Sequence, residues 1–257
     1  MNITILLQGY STSAEQLKSD VEYYKELGMN VVVSSYRECT NLLSPEIVVN
    51  NDEGKGTTLK DGFQGNNLKQ NKKGNFSVVT EHPFFRTDDF NLNFQIHTVK
   101  KGLEKINILY PDTEYILKLR ADMKLFDIHK HINEWVTNMD TDADFLEKKI
   151  VVKGAPGLSD RKKWKVYDFW TFGTTKDIQN YYDLPYVGSK IAPEYYLTEY
   201  IRKNSNDAWD VAKNAYFYYD DNKVPTYWHK YNGWLDTSDE KGFVGIYERH
   251  IKSIRPY

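Results

Sequence analysis

Ile3-Thr4-Ile5-Leu6-Leu7-Gln8-Gly9-Tyr10 opens the chain. A short apolar run cut off by a polar residue and a glycine predicts a buried first strand, ending at Gln8-Gly9-Tyr10. Ser11, Thr12 and Ser13 follow as N-cap candidates, and Leu17, Val21, Tyr24 and Leu27 recur at helical spacing. Gly28 stands where a helix stop belongs. Val31, Val32 and Val33 make a second strand, ending at Ser34-Ser35-Tyr36-Arg37, and Ile47, Val48 and Val49 a third, ending at Asn50-Asn51-Asp52. Continuous β-branched runs separated by a helical pattern mark parallel strands covered on both faces.

Beyond residue 50 the rhythm breaks. Five of the 15 glycines fall between residues 51 and 75, among Asn and Lys, which predicts a long loop of the kind that is functional or disordered. Phe76 to Val79 reads as a short strand. A helical pattern returns over Asn91 to Ile106, with Phe94, Val99, Leu103 and Ile106 on one side. Tyr115 to Leu119 is a fourth strand, running into Arg120-Ala121-Asp122. Further on, the spacing predicts a helix over Ile128 to Val136 and strands over Ile150 to Val152 and Val166 to Phe172. Helices follow over Thr175 to Tyr182 and Pro193 to Arg202, the latter with Pro and Glu194 in its first turn, where both are favourable. The aromatic-rich tail begins near Trp209. No internal repeat and no dividing linker is visible, so a single mixed α/β domain is expected.

Composition narrows the function classes. Of 257 residues, 34 are Lys or Arg and 36 Asp or Glu, a formal net charge of -2. A nucleic-acid binder would show a basic surplus, so no nucleic-acid partner is expected. The single cysteine, Cys39, excludes an intramolecular disulfide framework and a Cys-based zinc or iron–sulfur site. Nothing near eighteen consecutive apolar residues occurs, so no transmembrane helix is expected. The start lacks a basic n-region and a small-residue cleavage site. A soluble, cytoplasmic protein follows as the expectation, with peripheral membrane contact left open. The 20 tyrosines suit surfaces that stack on flat or amphipathic ligands.

In an open parallel sheet, ligands bind beyond the carboxyl ends of the strands. Those ends deliver Gln8, Gly9 and Tyr10, then Ser34, Ser35 and Arg37, then Asn51 and Asp52, and finally Arg120 and Asp122. Together they suit a nucleotide: Asn51 or Asp52 on a base or ribose, Gly9 for close backbone approach, Arg120 near phosphate. The plainer alternative is that strand ends are polar because they reach solvent. Asp122 presents a hard oxygen ligand, suited to Mg²⁺ or Mn²⁺ bridging a diphosphate. It could equally cap a turn or pair with Lys118 or Arg120.

Here the chain resembles a family. Glycosyltransferases of the GT-A type share such a strand order and an Asp-x-Asp at the end of the fourth strand. More closely, the sequence is similar to the WavE family of glycosyltransferases of lipopolysaccharide synthesis. The matching pieces are Ile5-Leu6-Leu7-Gln8-Gly9, Val32-Val33-Ser34-Ser35, Asn91-Leu92-Asn93-Phe94-Gln95 and Lys101-Gly102-Leu103. Lys118-Leu119-Arg120-Ala121-Asp122, Asp168 to Gly173, and Pro193-Glu194-Tyr195-Tyr196-Leu197 complete the set. They span most of residues 3 to 200 in order, and the tail adds none. The resemblance implies a GT-A-like α/β domain with a mostly parallel central sheet flanked by helices and an aromatic-rich C-terminal extension. Residues 1–125 would form the nucleotide-sugar-binding half and 126–257 the acceptor-binding half.

The implied reaction moves a sugar from a nucleotide-sugar donor to a glycan or polysaccharide acceptor. Asn93, Gln95 and Lys118 join the strand-end residues as donor-binding candidates. Asp122 takes the place of the second Asp of Asp-x-Asp, while Arg120 replaces the first, and an arginine there can neutralise diphosphate directly. If a divalent cation does bind Asp122, His250 or His229 in the tail could complete its shell; the plainer role for an isolated histidine is structural. His129-Lys130-His131 reads as surface. An inverting transfer needs a general base for the acceptor hydroxyl, for which Glu194 and Asp168 are the candidates. Glu194 could instead be a helix-dipole carboxylate. Tyr216, Phe217, Tyr218, Tyr219, Tyr227, Trp228, Tyr231 and Trp234 should be mostly core, with two or three at an acceptor groove. The rival reading is a carbohydrate- or nucleotide-binding protein that kept the sheet and lost catalysis. A nucleotidyltransferase ranks last, because no cation follows the first strand.

Overall fold

The computed structural model describes residues 1–51, 92–153, 169–184, 215–219, 224–231 and 233–234. The expected loop beyond Asn51, the strand at Phe76 to Val79 and the helix at Pro193 to Arg202 lie outside these residues. From the N-terminus run β1 (Ile3–Gln8), α1 (Ala14–Glu26), β2 (Asn30–Ser35), the single-turn α2 (Arg37–Thr40) and β3 (Val48–Asn50). Then come α3 (Leu92–Leu109), β4 (Tyr115–Arg120), β5 (Met123–Leu125), α4 (Ile128–Thr137), β6 (Ile150–Lys153), β7 (Trp170–Thr174) and α5 (Thr175–Tyr182). The short strands β8 (Tyr216–Tyr219), β9 (Thr226–Trp228) and β10 (Gly233–Trp234) complete the order.

Seven strands form one sheet in the order β3-β2-β1-β4-β7-β6-β8. β1 lies between β2 and β4, parallel to both, with Leu7 beside Val33 on one side and Leu119 on the other. β3 adds in parallel to β2 and β8 in parallel to β6, whereas β7 runs antiparallel to β4 and β6. The fold is thus mixed α/β with a mostly parallel central sheet flanked by helices, as expected.

Side-chain alternation along β1 divides the interior in two. Ile5 and Leu7 pack on the face that receives Leu17, Val21 and Tyr24 from α1. Leu6, with Val32 and Ile116, faces Ile96, Val99, Leu103 and Ile106 of α3. That approach is close: a Cβ on Gly102 would run into Leu6 Cδ1. Of the three N-cap candidates it is Ser13 that caps α1, its Oγ accepting from the backbone N of Gln16 at 3.1 Å.

The third and fourth strands depart from the sequence expectation at their ends, and the strand expected over Val166 to Phe172 is seen as β7 from Trp170 to Thr174, with residues 166–168 outside the described ones. The third strand starts at Val48, because Pro45–Ile47 form a 3₁₀ turn that tucks Ile47 into the core. The fourth strand does not end in solvent. After Arg120 the chain turns through Ala121-Asp122 and continues as β5 in a second, antiparallel sheet of order β10-β9-β5. Tyr24 of α1 holds that sheet down, its hydroxyl accepting from the backbone N of Leu125 at 2.9 Å. Among the described residues no helix is long and apolar enough to cross a membrane.

Candidate functional site

The carboxyl ends of β1 and β4 lie side by side, Gln8 opposite Arg120. A cleft of about 400 Å³ opens above them. Its lining includes Gln8, Gly9, Tyr10, Gln95, Arg120 and Asp122 from the expected set. It also includes Thr12, Tyr36, Phe94, Thr98 and Lys230, which were not among the expected donor-site residues. Phe94 and Thr98 are one helical turn apart on α3, so their shared face was legible once the helix was. Lys230 left no signal in the sequence.

Gly9 turns the chain away from β1 with a φ of +92°, a region open to glycine at no steric cost. Its N donates to Ser34 O at 3.0 Å and its carbonyl accepts from Ser35 Oγ at 2.6 Å, so the turn is tied to β2. Tyr10 is then left exposed at the rim, its ring 6.4 Å from that of Tyr36. Below them, Gln8 Nε2 donates to Thr98 Oγ1 at 2.8 Å, while the Thr98 hydroxyl reaches Phe94 O at 2.7 Å. Thr98 has one proton to give and the Phe94 carbonyl can only accept, so the orientation of the Gln8 amide is fixed. Its Oε1 is shielded from solvent and has no hydrogen-bond partner.

Asp122 sits in the turn between the two sheets, 6% exposed. Arg120 donates to it through Nε on Oδ1 and Nη2 on Oδ2, both at 2.9 Å. The Trp228 indole Nε1 donates to Oδ2 at 2.9 Å. Trp228 and Phe169 also flank the guanidinium, with Arg120 Cζ 5.4 and 5.9 Å from their ring centroids. Burial pushes the Asp122 carboxyl up. The charge and hydrogen bonds of Arg120, the indole N–H and the charge of Lys230 outweigh it, holding the group below its ordinary value. Asp122 is therefore an anion at neutral pH.

That donor set does not fit a divalent cation. Hard cations want several oxygen ligands with lone pairs to spare, yet Asp122 is the one carboxylate among the described residues lining the cleft, and both its oxygens already accept from a guanidinium. Among the described residues no cluster of three His, Cys, Asp or Glu side chains could hold a metal. His250 lies outside the described residues. His229 does not line the cleft; its Nε2 is 2.9 Å from Asp20 Oδ2 on α1, a structural role.

The other expected residues separate. Ser34 and Asn51 are buried and bond to each other, Asn51 Nδ2 to Ser34 Oγ at 3.1 Å. They shape the end of β2 and do not line the cleft. The shielded Asn51 Oδ1 has no partner. Arg37 is exposed at the start of α2, also off the lining. Lys118 is 1% exposed in mid-strand, its Nζ 5.9 Å from the Tyr182 ring centroid on α5. Asn93 falls in the first turn of α3, where its side chain is not described. Asp52, Asp168 and Glu194 lie outside the described residues. In the tail, Trp228 is buried against Asp122 and Tyr227 packs edge-on to His229 at 5.2 Å between centroids.

No family model matches this sequence, and no curated protein does. The structure is similar to that of a glycosyltransferase involved in the glycosylation of the major capsid of PBCV-1, at 14% identity and a TM-score of 0.42, covering 98% of this chain and 92% of the other. It is also similar to A197 from STIV (9% identity, TM-score 0.39, 89% and 85% covered). HddC from Yersinia pseudotuberculosis is a third such structure (10%, 0.41, 99% and 100%).

Proposed function

We propose that this chain is a GT-A-like glycosyltransferase that moves a sugar from a nucleotide-sugar donor to a glycan or polysaccharide acceptor. One observation carries the reading: the cleft at the carboxyl ends of the parallel strands combines a tyrosine rim, a glycine turn and two cations, Arg120 and Lys230. In a parallel α/β sheet that is where nucleotides bind. The aromatic rim suits a base or sugar face, and the cations suit a pyrophosphate. The donor's anomeric C–O bond breaks with its electron pair leaving on the diphosphate, while the acceptor oxygen bonds to the same carbon and gives up its proton. Arg120 and Lys230 receive the charge that builds on the leaving group. Asp168 and Glu194 are the residues we assign to the acceptor side, one of them taking the proton if the transfer inverts.

The WavE-like order of motifs supports a finer reading, in which the acceptor belongs to lipopolysaccharide and the work is cytoplasmic, with the chain in peripheral contact with the membrane. A second reading is favoured by the closed Arg120–Asp122 pair, which leaves no carboxylate on offer in the described part of the cleft: a binding protein of the same fold without catalysis. Thermal-shift measurements against UDP-, GDP-, CMP- and dTDP-sugars, followed by product analysis, test both. Ligand present at about 100 times its Kd raises stability by about 2.7 kcal/mol. Stabilisation with released nucleotide supports the transferase, stabilisation without turnover supports the binding protein, and no response to any nucleotide sinks both.

A further inference from the structure

The expectation of an Mn²⁺ or Mg²⁺ ion at Asp122 meets a donor set that is built for something else. Each Asp122 oxygen accepts from the Arg120 fork at 2.9 Å, and Oδ2 takes the Trp228 indole as well. The guanidinium is held from both directions, by the carboxylate along its edge and by the Trp228 and Phe169 rings beside it. A planar fork fixed in this way loses little freedom when an anion arrives. The charge balance points the same way. Among the described residues lining the cleft, the charged side chains are Arg120, Lys230 and Asp122, so two cations meet one carboxylate. Thr12, just ahead of the Ser13 cap, also lines the cleft and brings it near the start of α1, where the helix dipole favours negative groups.

We propose that the cleft seats the pyrophosphate of its nucleotide on Arg120 and Lys230 without a divalent cation, with Asp122 as the positioning residue that holds the Arg120 fork. The inference rests on the nucleotide-binding reading above and deepens it. Charge on the departing diphosphate is met by guanidinium and ammonium, and the carboxylate acts through the arginine.

The test is a calorimetric titration of the full chain with UDP, GDP, CDP and dTDP, once in EDTA and once in Mn²⁺, with the Mn²⁺ electron-spin signal recorded alongside. At least one nucleotide is expected to bind in EDTA with a Kd within about threefold of its value in Mn²⁺, and free Mn²⁺ should not be depleted by the complex. Lys230→Met, at an exposed position, should weaken that binding roughly tenfold, the loss of one charge-assisted contact. Arg120→Lys keeps the charge but loses the fork and should weaken it by a similar factor. Asp122→Asn should weaken it equally in EDTA and in Mn²⁺. Binding that needs Mn²⁺, or Mn²⁺ uptake that disappears in Asp122→Asn, overturns this inference and leaves the transferase reading standing. Binding of no nucleotide under either condition overturns both.

Discussion

His229 Nε2 lies 2.9 Å from Asp20 Oδ2, joining residues 209 positions apart in the chain. Asp20 is 1% exposed on α1, and its other oxygen accepts from Lys124 Nζ and Gln16 Nε2, each at 3.1 Å. His229 stands between Trp228, which donates to Asp122, and Lys230, which lines the cleft. Its own backbone N donates to Asp122 O at 2.9 Å. Asp20 thus pins to the first helix the segment that completes the anion seat.

Removing that carboxylate should be expensive. Asp20→Ala leaves the Lys124 ammonium buried without its partner, and breaking such a pair costs about 3–5 kcal/mol. Asp20→Asn keeps an acceptor for His229 and should cost less. Urea denaturation of both variants checks the order. A loss below about 0.5 kcal/mol in Asp20→Ala, the size of an ordinary surface change, would show that the cluster holds nothing.

Acid should loosen the site through Asp122. Its folded carboxyl lies below the ordinary value. The stability it contributes is therefore fully present above the unfolded carboxylate pKa of about 4 and is lost as pH falls through the lower, folded one. The stability gap between the parent chain and Asp122→Asn should be constant from neutral pH down to about pH 5 and narrow below about pH 4. Paired denaturation curves across that range measure it. A gap that widens on acidification contradicts the assignment.

How much of this was legible varies with the physics involved. The strands β1, β2 and β4 and the helices α1, α3 and α5 announce themselves through β-branched runs and 3.6-residue spacing, because each buries a face. Strand β5 does not. It is three residues long with a lysine at its centre, and Lys124 is buried only because the Tyr23 ring, 4.2 Å away, and Asp20 receive its ammonium. The antiparallel course of β7 is likewise invisible, since a buried strand reads the same in either direction. At the site, strand ends led to Gln8, Gly9, Tyr10, Arg120 and Asp122. Trp228 read only as one tail aromatic among several, because its indole bond spans 106 positions of sequence.

Gly102 offers a test of the close approach of α3 to β1. An alanine in a helix interior normally gains up to about 1 kcal/mol over glycine. Here its Cβ would meet Leu6 Cδ1 with Cγ 3.2 Å away, and Leu6 is wholly buried. Overpacking a tight core costs about 1–3 kcal/mol, so the net change in Gly102→Ala should be destabilising. A melting temperature above that of the parent chain would show that the two elements have room to spare.

The Gln8–Thr98 bond makes a prediction about sign. Thr98 gives its proton to Phe94 O and accepts from Gln8 Nε2, so a glutamate at position 8 brings a second acceptor to a group already spending its donor. Gln8→Met removes one hydrogen bond and should cost about 1 kcal/mol at any pH. Gln8→Glu should cost more at pH 7, because a buried carboxylate without donors is disfavoured against its protonated form. Its folded pKa is then raised, so the stability recovered on protonation is fully present below the unfolded value of about 4.3 and lost as pH rises through the folded one. Gln8→Glu should therefore approach Gln8→Met at pH 4.5–5 and fall behind it at pH 7, by about 1.4 kcal/mol for each unit of raised pKa crossed. Identical pH profiles for the two variants would mean that Thr98 turns its hydroxyl to serve the new side chain, and that the polarity of the cleft floor is not fixed by α3.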